Sequence, residues 1–211
     1  LHSKFIFELL NPLGSHNFKD KFTKLFLKMI DIHDFNLENF IVKKEYKNID
    51  IILRNPNQAI IIENKIWAGD QERQLERYYE IIEKEGIKDI RLIYLTLHGN
   101  EPTGYGSGKL IEGPKLKIIS YSFEIDRWIE HCIEASTRHP TLRETLIQYQ
   151  KLINNLTGHN MEQEQTNEII KLISQSDNIL MASLIAKNWQ HVAWETEYLF
   201  WTDFIELIQV K

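Results

Sequence analysis

Asp50, Glu63 and Lys65 are three charged residues set in two apolar, β-branched segments, Ile49-Asp50-Ile51-Ile52 and Ile60-Ile61-Ile62-Glu63-Asn64-Lys65-Ile66. Between the segments, Asn55-Pro56-Asn57-Gln58 reads as a turn. If Arg54 pairs with Ala59 across that loop, antiparallel register sets Asp50 opposite Glu63 on one face. Their Cβ atoms would then lie about 5 Å apart. Lys65 shares the face, because strand side chains alternate. Two acids held this close among Ile and Leu repel, and a divalent cation relieves the repulsion. Such oxygen ligands suit Mg²⁺ or Mn²⁺, with water and substrate phosphate completing the shell. The chemistry expected is phosphodiester hydrolysis by a cation-activated water, with Lys65 positioning or helping to deprotonate that water and offsetting negative charge.

The elements that must position these residues follow from periodicity and punctuation. A short helix runs roughly from Ser3 to Leu10 and stops at Asn11-Pro12. Asn17 to Asp34 reads as a second helix, with Phe18, Phe22, Leu25, Phe26 and Met29 at helical spacing and Asn17 as its N-cap. Extended segments are expected over Asn39 to Tyr46, Ile49 to Arg54 and Ala59 to Ile66, the last two forming a hairpin. Gly69-Asp70 opens a polar helix to about Glu85, closed by Gly86, and Ile90 to Leu97 forms the next strand. His98 to Lys109, with four glycines and one proline, is expected to be a mobile surface loop. Leu116 to Tyr121 reads as a further strand. From Phe123 the pattern is helical, interrupted at Pro140, at Thr157-Gly158 and near Asn188. The domain reading is a core over 1–122 and a helical extension over 123–211 packing on it.

These residues resemble the PD-(D/E)XK nuclease superfamily, whose signature is an Asp on one strand and Glu-X-Lys on the next. The resemblance runs over roughly residues 1–105. It implies an α/β fold of restriction-endonuclease type: an αβββαβ core with a central mixed sheet flanked by helices, here followed by a helical C-terminal portion. Ile49 stands where the superfamily's name has Pro, a position that contributes no ligand. Gln74 and Tyr78, with Gln71 one turn earlier on the same expected helix face, resemble the Gln-x-x-x-Tyr element of the exonuclease-like branch. That likeness gives Gln74 and Tyr78 supporting roles toward water, metal ligands or phosphate; alternatively they simply pack and hydrogen-bond. His2-Ser3 and Leu9-Leu10-Asn11-Pro12-Leu13-Gly14-Ser15-His16 are similar to a largely bacterial subgroup.

Carried over residue by residue, the resemblance makes Asp50, Glu63 and the backbone carbonyl of Asn64 the metal ligands and Asp50, Glu63, Lys65, Gln74 and Tyr78 the catalytic set. Members often add an acid or a histidine from the first helix. Glu8, His2 and His16 are the candidates, each with a competing reading as a helix-end or turn cap. Glu45, ending the first strand, is either an outer neighbour of the metal or half of a surface pair with Lys43 or Lys47.

Composition limits the partners. The formal charge is -5, yet residues 1–100 carry 15 Lys+Arg against 15 Asp+Glu and residues 101–211 carry 10 against 15, so a phosphate-facing surface belongs to the first half. Acids spent on a cation lower the formal charge without repelling substrate once the cation is bound. The single Cys132 excludes an internal disulfide, the histidines lack zinc-ligand spacing, and there is no Gly-rich phosphate loop. Without a bilayer-length apolar run or a signal peptide, a soluble, cytoplasmic protein with no membrane partner is expected. The chain starts at Leu1 and stops at Val210-Lys211, so further segments are expected at either end. Trp189, Trp194, Tyr198, Phe200, Trp201 and Phe204 read as a docking helix rather than a base-stacking platform.

The function expected is a Mg²⁺- or Mn²⁺-dependent nuclease of bacterial or phage origin acting on nucleic acid, DNA in the first instance, with a homodimer as a candidate assembly. A catalytically silent nuclease fold that binds DNA or assembles with partners is the alternative, against which the joint retention of Asp50, Glu63 and Lys65 speaks. Glycoside hydrolysis by paired carboxylates gives Lys65 no work.

Overall fold

The computed structural model describes residues 2–109, 116–158, 163–175, 178–189, 191 and 193–195. They belong to two compact units, Leu1–His159 and Asn160–Lys211. The first is built on a five-stranded mixed sheet in the order β1 (Ile41–Tyr46), β2 (Ile49–Arg54), β3 (Gln58–Lys65), β4 (Asp89–Thr96), β5 (Leu116–Ser120). β1 to β3 form an antiparallel meander, and β4 and β5 add in parallel to β3. Helices α1 (His2–Leu10) and α2 (Lys21–Met29) precede the sheet, and α3 (Gln74–Glu83) makes the crossover that parallel β3 and β4 require. The single turn α4 (Gly104–Ser107) lies between β4 and β5, and a π-helical turn over Tyr121–Ile125 leads into α5 (Asp126–Ala135) and α6 (Pro140–Thr157).

Alternation along the strands divides the apolar residues between two faces. Ile51, Leu53, Ile60, Ile62, Ile93 and Leu95 face α1, α2, α5 and α6, where Phe22, Phe26, Trp128, Leu146 and Ile153 complete the larger core. Ile52, Ala59, Ile61, Ile90, Leu92 and Tyr94 face α3, meeting Leu75, Tyr78 and Ile82. Covered on both sides, β3 can read as the unbroken run Ala59-Ile60-Ile61-Ile62, every residue at most 1% exposed. β1 is an edge strand, and its exposed Lys43, Lys44 and Glu45 discourage pairing with another chain. Trp128, fully buried, donates its indole N–H to the Phe22 carbonyl and ties α5 to α2.

The element order agrees with the sequence reading, and the differences lie at helix starts and in one loop. Asn17 is not an N-cap: it and Lys19 take left-handed φ values of 59° and 51°, and α2 begins only at Lys21. α3 begins at Gln74 rather than Gly69, because Arg73 is left-handed (φ 46°) and Asp70 is engaged elsewhere. The Asp70 carboxylate accepts bonds from the Thr103 N–H (2.8 Å), the Thr103 hydroxyl (2.7 Å) and the Tyr94 hydroxyl (2.7 Å), pinning the segment expected as a mobile loop. A Cβ on Gly106 would lie 2.5 Å from Asp70 Cγ, so only glycine admits this approach. α5 and α6 lie in the same compact unit as the sheet, across the boundary expected at 122/123. In the second unit α7 (Gln163–Ile173) is followed by helical residues 178–189, which include Asn188; Trp189 and Trp194 are exposed, and Tyr198, Phe200, Trp201 and Phe204 lie outside the described residues. No helix among the described residues is long and apolar enough to cross a membrane.

Just beyond α3, Glu85 anchors that helix to the β1–β2 hairpin, accepting from Tyr46 Oη (2.9 Å), Lys47 Nζ (2.6 Å) and an Arg54 guanidinium nitrogen. Burial opposes its ionisation, but the bonds from Lys47, Arg54 and Tyr46 outweigh it and hold the carboxyl at about 2 against an ordinary 4.5. A depressed pKa contributes stability that is full above the unfolded value and is lost as pH falls through the folded one. Glu85→Gln should therefore lower the unfolding free energy at pH 7 by about 1.5–3 kcal/mol, the usual worth of hydrogen bonds to an ionised group. In urea titrations the gap to wild type should close between pH 4.5 and about 2; a gap independent of pH would show that the carboxylate's charge plays no part.

Candidate active site

The β2–β3 ladder pairs Arg54 with Ala59, Leu53 with Ile60, Ile52 with Ile61 and Ile51 with Ile62. Asp50 and Glu63 are the next positions in that register. There the ladder gives way to a side-chain bond: Asp50 Oδ2 accepts the Asn64 backbone N–H at 2.9 Å. Asp50, Glu63 and Lys65 line one cleft of about 620 Å³ beside α3, together with Asn48, Gln74 and Tyr78. Lys65 Nζ lies 3.0 Å from Glu63 Oε1. The structure thus brings together the three residues singled out by their spacing.

Gln74, in the first turn of α3 and 4% exposed, organises the group. Its Oε1 accepts from Lys65 Nζ at 2.8 Å, while its Nε2 donates to Glu63 Oε1 and to Tyr78 Oη, each at 2.9 Å. Tyr78, one turn on, donates its hydroxyl to the Asn48 carbonyl at 2.6 Å and so fastens α3 to the β1–β2 turn. Lys65 also donates to the Gly69 carbonyl at 3.1 Å. Gln71 precedes the helix instead of continuing its face; its Oε1 accepts from Arg77 at the cleft, and its N–H is 3.4 Å from Gln74 Oε1.

Glu63 Oε1 is therefore committed to Lys65 and Gln74, whereas its Oε2 is buried with no hydrogen-bond partner among the described residues. Burial first, and the neighbouring Asp50 second, push the Glu63 carboxyl up to about 7 against the pull of Lys65. Burial also raises Asp50, opposed by the Asn64 N–H and by Lys65. A partnerless buried oxygen beside a second acid is a disposition that a hard divalent cation satisfies. No cluster of three His, Cys, Asp or Glu that could hold a metal occurs among the described residues. The side chains that could hold a divalent cation are thus the two carboxylates of Asp50 and Glu63, a set that would leave positions for water and phosphate.

The remaining candidates divide differently. Glu8 accepts the Ser15 N–H at 2.6 Å, and His16 donates from Nε2 to the Asn11 carbonyl while its Nδ1 accepts the Phe18 N–H. Both close the α1–α2 connection, the capping role weighed for them. Glu45 is exposed at the end of β1, left-handed at φ 53°, while Lys47 pairs with Glu85. His2 Nδ1 lies 3.1 Å from Tyr149 Oη, on the opposite side of the sheet from Gln74. What α1 does bring to Asn64 is Ser3, whose Oγ accepts from the Asn64 side chain at 2.9 Å. Ser3, Asn48 and Tyr121 were not legible as site neighbours, since nothing local joins residues this distant in the chain.

Residues 1–151 match a family model described as the PD-(D/E)XK nuclease superfamily. No curated protein and no solved structure matches the chain.

A carboxyl that binds its proton more tightly folded than unfolded makes the fold lose stability as pH rises from its unfolded value of 4.5 through about 7. In EDTA, Glu63→Gln should melt higher than wild type at pH 8, and the difference should shrink as pH falls toward 4.5. Scanning calorimetry across that range checks it, and coincident melting curves at pH 8 would mean that Glu63 carries no such strain.

Proposed function

This chain belongs to the PD-(D/E)XK nuclease superfamily, whose activity is nuclease-type phosphodiester hydrolysis, and we propose that it cleaves DNA with Mg²⁺ or Mn²⁺ held by Asp50, Glu63 and the backbone carbonyl of Asn64. The observation that carries the reading is the Glu63 carboxylate: one oxygen locked by Lys65 and Gln74, the other buried, partnerless and beside Asp50. When bound, the cation supplies a Lewis acid for phosphate and an acidified water.

The chain's own groups then divide the work. Lys65 and Gln74 fix the plane of the Glu63 carboxylate, leaving Oε2 as its donor atom. The Asn64 N–H orients Asp50. Lys65, lining the cleft, positions or helps deprotonate the attacking water and offsets charge on phosphorus as the leaving oxygen departs. Tyr78 holds Gln74 in place through its own bond to Asn48. Arg77, at the same cleft, supplies positive charge toward a phosphate backbone.

Incubation with linear, circular and single-stranded DNA in Mg²⁺, Mn²⁺ or EDTA tests the proposal. Cleavage should require the cation, fall by on the order of 10²–10⁴-fold in Lys65→Ala, the usual worth of positioned acid–base groups, and vanish in Asp50→Ala. Cleavage surviving both substitutions would sink the catalytic assignment. DNA binding without cleavage by wild type would favour the silent binding module.

A further inference from the structure

Asn64, the residue between the acid and the lysine, points away from the chemistry. Alternation sets Glu63 and Lys65 toward α3 and Asn64 toward the thicker helical layer. There its Nδ2 donates to Ser3 Oγ at 2.9 Å and its Oδ1 accepts from Tyr121 Oη at 3.1 Å. Ser3 lies in the first turn of α1; Tyr121, fully buried, opens the π-helical turn after β5. The Tyr121 hydroxyl in turn bonds Tyr149 of α6, whose hydroxyl also meets His2 at 3.1 Å. His2 presents its ring edgewise to Tyr121, with centroids 5.6 Å apart. Both ends of one amide are thereby held by elements 61 and 57 residues away in sequence.

A buried amide with satisfied ends is ordinary in itself. What sets this one apart is its main chain. The Asn64 N–H leaves the ladder to bind Asp50 Oδ2. In an extended residue the N–H and C=O project to the same side, so the Asn64 carbonyl is also directed past the last paired residues, Ile51 and Ile62, toward the acids. The two peptides that flank the Asn64 Cα thus serve the site, one through the N–H that binds Asp50 and the other through the carbonyl assigned to the cation, while the side chain between them is clamped on the far face.

We propose that Asn64 is a positioning residue, and that Ser3 and Tyr121 are its anchors: by clamping the side-chain amide they fix the Asn64 main chain, whose N–H orients Asp50 and whose carbonyl is presented to the cation. The proposal rests on reading the site as a cation-dependent nuclease. It also gives the first helix a role at the site through the Ser3 hydroxyl, in place of the acid or histidine that the resemblance implies.

The test uses the full chain with Mn²⁺ as probe. Mn²⁺ affinity is measured by titration calorimetry without nucleic acid, the melting temperature in EDTA, and the cleavage rate as a function of Mn²⁺ concentration. Ser3→Ala and Tyr121→Phe should each weaken Mn²⁺ binding by about 10-fold, the low end for partners that orient a metal's ligands. Ser3→Ala should melt near wild type and Tyr121→Phe lower, since it leaves the Asn64 oxygen without its donor; Ser3→Thr, which keeps the hydroxyl, should restore affinity. Saturating Mn²⁺ should recover the cleavage rate with KM for DNA unchanged. Unchanged Mn²⁺ affinity in both variants, whatever their melting temperatures, would reduce the clamp to packing and overturn the proposal. Should wild type itself bind no Mn²⁺ and cleave nothing, the reading of the site falls and takes this proposal with it; wild-type binding and cleavage with indifferent variants removes the positioning role alone.

Discussion

Glu63 is 4% exposed and stands one register step beyond the last paired residues of the β2–β3 ladder, facing Asp50. Two like charges in so dry a setting repel, and the isoleucines on either side cannot disperse the charge. The sheet nevertheless holds the acids there, because Ile51, Ile52, Ile60, Ile61 and Ile62 are locked in both cores and leave the register no freedom. The local conflict is therefore sustained by interactions elsewhere in the sheet. What relieves it is partial: Lys65 and Gln74 satisfy one oxygen of Glu63, and the Asn64 N–H satisfies one oxygen of Asp50.

The two faces of the sheet have separate duties, and β3 serves both through consecutive residues. Glu63 and Lys65 project to the face that α3 covers, so a cleft can open there without breaching the larger core. Asn64 projects to the other face, into the layer formed by α1, α5 and α6. The position of α3 matters because Gln74 sits in its first turn. Tyr78 ties that helix to the Asn48 carbonyl, and Glu85 ties its far end to Tyr46, Lys47 and Arg54. A helix fixed at both ends can hold a hydrogen-bonding amide to the tolerance that site geometry demands.

The hairpin and its acids were legible because their determinants are local. The Asn55 side chain accepts the N–H groups of Asn57 and Gln58, which closes the turn and sets Arg54 against Ala59. From that pair, counting alone reaches Asp50 and Glu63. The starts of α2 and α3 were not legible, because Asn17, Lys19 and Arg73 take left-handed conformations that residue type does not announce. Asp70 had the composition of a helix opener, but Thr103, 33 residues later, claims its carboxylate. The contribution of the first helix was hidden for the same reason: Glu8 and His16 are engaged within the α1–α2 connection, and Ser3 acquires meaning only when the fold brings Asn64 to it.

The helices after β5 belong to the nuclease unit on physical grounds. Residues 1–151 carry the family match, and that span takes in α5 and most of α6. Leu146, Tyr149 and Ile153 of α6 are buried in the same core as Ile51, Ile62 and Leu95, and Tyr149 stacks on Phe5 of α1 with ring centroids 3.7 Å apart. Take that layer away and the larger face of the sheet meets water. Water at that face would compete for the Asn64 amide and loosen the β3 register that keeps Glu63 opposite Asp50. The helical layer therefore supports the chemistry from the far side of the sheet, and the same burial that forms its core keeps the two acids together.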